Sequence, residues 1–289
     1  MERAPNQGAQ ELAMKDLLFH LAPDEARPAG SEFAISLAVA HGAHLTAASV
    51  AIDYPPQLAN GGTFAGGLEL SVVNNFVELT EQNRKAARDA YERLAQSFPA
   101  GIAAEFVAIE TFPQLVGDEF GRLARRFDVA IVALGSDFAQ DIVPGALFGS
   151  GRPTFVLPSG FTDPARLTKA MVCWDGGSPA AKAVAESLPL LARAERVEVV
   201  CVKDASRSPG RPSGAELLRH LERHGVAAAL CELPATEDEG AALLSRAAES
   251  GADFIVMGGY GHWRLRELIF GGTTQSVLAQ SKLPLFMAH

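Results

Sequence analysis

Gly258, Gly261 and Gly271 stand in the spacing Gly-x2-Gly-x9-Gly, and Gly272-Thr273-Thr274 follow directly. Glycine lets a backbone come close to a phosphate, and the free amides at a helix start donate to it. If Gly272, Thr273 and Thr274 open the last helix, their N–H groups face an anion. Asp175, in Trp174-Asp175-Gly176-Gly177-Ser178-Pro179, is suited to accept hydrogen bonds from a base or ribose. Capping the following helix is an equally ordinary use for it, and the two uses are compatible. Trp263, Arg264 and Arg266 lie in the nine-residue spacer, either as phosphate or partner contacts or as a solvated lid.

Other chemistry-bearing residues read more plainly. His220 and His224 stand four apart on one helical face, but zinc needs a third ligand and none is nominated, so a solvated face is expected. Cys173, Cys201 and Cys231 fall on three different predicted strands; they act as small hydrophobes unless the strands bring them together. The chain contains no Gly-x4-Gly-Lys-Ser/Thr loop, no Gly-x-Gly-x-x-Gly after either first strand and no Gly-x-Ser-x-Gly elbow. P-loop, dinucleotide-dehydrogenase and α/β-hydrolase chemistry are therefore set aside, and no catalytic residue is assigned.

An internal repeat positions these residues. Lys15–His20 and Lys169–Trp174 are short apolar strands after a lysine; helices over 31–42 and 179–194 follow, with Ser31 and Ser178 as expected caps. Leu45–Ile52 answers Val197–Lys203, Ile102–Ile109 answers Val226–Leu233, and Phe127–Val132 answers Ala252–Met257. Val73, Val77, Thr80, Ala87, Tyr91 and Leu94 form one helical stripe, and Leu217, Leu218 and Leu221 a shorter one. Strands alternating with amphipathic helices predict an α/β fold: two tandem doubly wound, Rossmann-like domains, each a mostly parallel five-stranded sheet with helices on both faces. The expected domains are 1–158 and 167–289, joined by the Pro- and Gly-containing 158–166 segment, with 53–69 as a surface loop.

In such a fold ligands sit beyond the carboxyl ends of the strands, where strand order reverses. Asp175, Val202, Met257 and Gly258 end three strands of the second half and meet there with Gly261, Gly271, Gly272 and Thr273. The first half has His20-Leu21-Ala22 where Asp175 would stand, and Gly149-Ser150-Gly151 reads as a tight turn into its last strand. It is expected to be a degenerate partner.

The 289 residues carry 25 Lys+Arg against 34 Asp+Glu, a net charge of −9, which argues against nucleic-acid and anionic-membrane binding. No apolar run approaches the ~20 residues of a bilayer span, and the first residues lack a signal-peptide core. With 3 cysteines and no disulfide framework, a cytoplasmic setting is expected.

The glycine spacing, with the Asp175-Gly176-Gly177-Ser178 turn, resembles the universal stress protein (UspA) family, and the repeat makes the chain similar to a tandem member. The resemblance implies a non-catalytic stress-response module that binds an adenine nucleotide, ATP with its magnesium, in the second domain. It also implies unknown protein partners, a homodimer, or an intrachain pseudo-dimer through the last, edge strands. Where the family has Ser or Thr after the third glycine, this chain has Gly272, which keeps the amide and loses the hydroxyl. Two further readings therefore stand beside nucleotide binding: a nucleotide-free interaction scaffold and a slow ATPase.

Overall fold

The computed structural model describes residues 14–23, 28–53, 70–203, 210–259 and 272–289, with the side chains of 70–76 outside that set. The expected 53–69 loop beyond Asp53, the spacer residues Trp263, Arg264 and Arg266, and Gly261 and Gly271 lie outside the described residues.

The first half contains β1 (Asp16–His20), α1 (Ser31–His41), β2 (His44–Ile52), α2 (Leu70–Ala95), β3 (Ala104–Thr111), α3 (Val116–Ala124), β4 (Val129–Ala133), α4 (Ala139–Pro144) and β5 (Thr154–Leu157). The second contains β6 (Lys169–Cys173), α5 (Ser178–Leu191), β7 (Arg196–Val202), α6 (Gly214–Arg223), β8 (Ala228–Leu233), α7 (Glu239–Ser250), β9 (Phe254–Gly258), α8 (Gly272–Gln280) and β10 (Leu285–Ala288). The fold is α/β, with helices on a mostly parallel sheet. The strands run β3-β2-β1-β4-β5-β10-β9-β6-β7-β8, one ten-stranded sheet in place of two separate ones. All neighbours are parallel except the central pair, where β5 and β10 run antiparallel with Phe155 opposite Phe286.

Alternation along the strands sends residues to two apolar layers, and each layer crosses the seam. Leu17, Phe19, Phe155, Phe286, Val172 and Phe254 share one; Leu18, Val132, Val156, Met287, Ile255 and Met171 share the other. Residues buried on both faces explain the continuous apolar strands. Outside the sheet, the linker is held to the first half by Gly30 N–H to the Phe161 carbonyl and Ala165 N–H to Ser36 Oγ, and the halves are tied by the Arg193 guanidinium to the Ala40 carbonyl.

The repeat reaches down to single hydrogen bonds. Asp128 accepts from the backbone N–H groups of Lys15 and Asp16, and Asp253 from those of Thr168 and Lys169. Each carboxylate thus ties the entry of its half's fourth strand to the start of the first.

Three sequence expectations are corrected. Ser31 does not cap α1: its hydroxyl donates back to Pro28, and Gly30, at φ 83°, holds the cap position. At α5 the cap position is Gly177, with Ser178 already helical. Val77, placed in the buried stripe of α2, is 55% exposed. At 1.5 Å per residue the 26-residue α2 is longer than the 9-residue strand it covers, so its first turns overrun the sheet.

His20 is buried at the end of β1, with Nδ1 3.4 Å from Ser136 Oγ and its ring edge-on to Phe120. Burial pushes its pKa down from 6.5 to about 4, and burial, then Arg193 and Lys15, do the same to His41. The unfolded chain binds these protons near pH 6.5 and the folded chain only near 4. Their contribution to stability is full above pH 6.5 and is lost as pH falls toward 4. Melting temperature is expected to fall across that window, and His20→Leu to flatten the part between pH 6.5 and 5. An unchanged slope in the variant would contradict this.

Candidate functional site

A cavity of about 230 Å3 opens at the carboxyl ends of β6, β7 and β9. Cys173, Val200, Val202 and Met257 give it an apolar floor; Asp175 and Trp174 stand on one side, Glu239, Gly272 and Thr273 on another. Ala180, Glu239 and Gly272–Thr274 belong to the first turns of α5, α7 and α8, so three helix N-termini face one space. The positive dipole ends of helix starts favour an acceptor-rich ligand.

Asp175, Trp174, Glu239 and Thr273 are already held within the protein. Asp175 Oδ1 accepts from Gly177 N–H at 2.8 Å, which closes the strand-to-helix turn. Its Oδ2 meets Arg211 Nη1 at 3.0 Å. The 211–213 segment is pressed against this turn: Trp174 Nε1–H donates to the Pro212 carbonyl, and Gly176 sits at φ 71°. A Cβ on Gly176 would come within 2.7 Å of that same carbonyl, so only glycine turns the chain here.

On the far side, Thr273 Oγ1 donates to Glu239 Oε2 at 3.0 Å. Asp238 caps α7 through Ala241 N–H. Arg246 anchors that helix to the sheet with two bonds, 2.9 and 2.6 Å, to the buried carboxylate of Glu198 on β7. Glu239 is therefore positioned by a fixed helix. The Cys173 thiol is pushed up to about 12 by burial and by nearby Cys201, so it stays protonated at neutral pH.

Of the residues singled out from the sequence, Asp175, Val202, Met257, Gly258, Gly272 and Thr273 line this one cavity. Gly258 has a packing reason of its own: a Cβ there would stand 2.5 Å from Ala180 N and 2.7 Å from Pro179 C. Gly272 has open space around it. Cys173 and Cys231 pack into one apolar layer and Cys201 into the other, so the three do not converge. His220 and His224 contact each other edge to face on the exposed side of α6.

Trp174, Arg211 and Glu239 were not singled out as site residues. Arg211 precedes a Ser213-x-x-Glu216 capping box, a signal legible in the sequence. Glu239 lies in an acidic run that opens a helix, but nothing in its spacing ties it to Thr273, 34 residues on.

The Universal stress protein family model matches residues 167–289. Among solved structures, a universal stress protein from Archaeoglobus fulgidus superposes with TM-score 0.67 at 15% identity, over 96% of this chain and 97% of that one. A functionally unknown protein from Pseudomonas aeruginosa PAO1 superposes with TM-score 0.60 at 12% identity, over 98% and 94%. At these identities the likeness is one of fold. No curated protein matches the chain.

Proposed function

With residues 167–289 a universal stress protein family domain, we propose that its cavity binds an adenosine-bearing ligand, an adenine nucleotide or its nucleoside, and that the chain is a non-catalytic, cytoplasmic stress-response module. The observation that carries this reading is the meeting of three helix N-termini over an apolar floor, with Asp175 at the rim. The floor suits the face of a base, the helix starts supply donors, and Asp175 retains lone pairs for an exocyclic amine or ribose hydroxyl. The protonated Cys173 thiol and the two carboxylates, each already bonded within the protein, support a binding rather than a catalytic role.

Asp175→Ala and Arg211→Ala test the assignment together, through adenosine affinity measured by equilibrium dialysis. Loss of a bond to a charged group costs about 1.5–3 kcal/mol, so Asp175→Ala is expected to weaken binding by roughly tenfold or more. Arg211→Ala leaves the carboxylate in place and should weaken it far less. Equal losses in both variants would mean that Asp175 serves only to hold the 211–213 segment.

The internal satisfaction of Asp175 and Thr273 favours one second reading, a nucleotide-free interaction scaffold. It predicts no change in melting temperature with any adenine compound.

A further inference from the structure

We propose that the cavity selects its ligand against phosphate charge, taking an uncharged nucleoside in preference to a nucleoside triphosphate. This rests on the adenosine-binding reading and narrows its ligand class. The first turn of α8 is where an incoming anion would meet a helix start, and that turn is already met by a carboxylate. Glu239 Oε2 accepts from Thr273 Oγ1 at 3.0 Å, and Glu239 and Gly272–Thr274 line the same cavity. Glu239 also opens α7, so the carboxylate takes up the electrostatic advantage of that helix start as well.

The other described lining residues add no opposing charge. Among the described residues the cavity wall contains no lysine, arginine or histidine. Arg211, beside it, has its guanidinium on Asp175. Among the described residues a polyphosphate entering here meets two carboxylates and one paired cation. A nucleoside instead brings hydroxyl and amine donors, which both carboxylates accept. Like charges within a few ångströms at a partly buried site repel strongly, while a neutral donor bonds to the same groups.

The test is thermal melting of the full chain and its Glu239→Gln variant with adenosine, AMP, ATP and ATP with magnesium at equal concentration. Ligand-induced shifts are read against each protein's own unliganded melt, so any stability change in the variant cancels. Glutamine keeps the acceptor for the Thr273 hydroxyl and removes only the charge. The expected order in the wild type is adenosine above AMP above ATP, with and without magnesium. Glu239→Gln should raise ATP affinity by about tenfold, near 1.4 kcal/mol, and so narrow or reverse the preference for adenosine over ATP. ATP, alone or with magnesium, shifting the wild type more than adenosine overturns the inference alone. An unchanged ATP affinity in Glu239→Gln does the same. No shift with any of the four compounds overturns the adenosine reading itself, and this inference with it.

Discussion

Phe286→Ala is expected to lower the unfolding free energy by about 3–5 kcal/mol, the usual cost of emptying a large aromatic site in a core. Phe286 is fully buried on β10, with its ring centroid 5.0 Å from that of Phe155 across the antiparallel seam. Phe155 in turn meets Phe33 of α1 at 5.0 Å, so the hole would open between the two halves. Because both apolar layers run through the seam, the loss should not fall on one half. Both tryptophans, Trp174 and Trp263, lie in the second half, whereas far-ultraviolet circular dichroism reports on both. In urea the two signals are expected to move together in wild type and variant, with the midpoint lower in the variant. Separate transitions, with the tryptophan signal alone displaced, would contradict a shared core.

The second large effect is Gly258→Ala. The added Cβ meets Ala180 N at 2.5 Å and Pro179 C at 2.7 Å, backbone atoms that no rotamer change can remove. The start of α5 must move off the end of β9, at a cost of about 1–3 kcal/mol or more. Gly272→Ala is the control, because open space surrounds a Cβ there and alanine suits a helix better than glycine. It is expected to leave stability unchanged or raise it slightly. A motif glycine and the glycine that follows the motif thus separate by denaturant unfolding: one is required by packing, the other is free to answer to a ligand. Equal destabilisation by both would show that α8 packs more closely on its surroundings than the structure has it.

The strand-helix alternation made the α/β class and the parallel sheet legible, since strands such as Val129–Ala133 and Phe254–Met257 are buried throughout and carry no polar alternation. Matched landmarks, Asp128 with Asp253 above all, made the repeat legible because each makes the same backbone bonds. Helix starts were less so. Ser31 has the composition of a cap, but Gly30 in the left-handed region sets the chain direction first. The continuous ten-stranded sheet rests on the register of Leu285–Met287 against Thr154–Val156. Apolar edge strands announce a tendency to pair, and only the fold decides that they pair with each other. The site was half legible. Its strand-end and helix-start residues are local in sequence, whereas the bonds from Arg211 to Asp175 and from Thr273 to Glu239 join distant segments. Their types reveal nothing until the chain is folded.

Calorimetric titration of the full chain with adenosine tests the central claim most directly, because it reads affinity and stoichiometry at once. A single saturable site per chain is predicted, weakened by Asp175→Ala and retained in Gly272→Ala. The absence of saturable binding for adenosine, AMP and ATP alike, or equal sites in both halves, would contradict an adenosine site built at the ends of β6, β7 and β9.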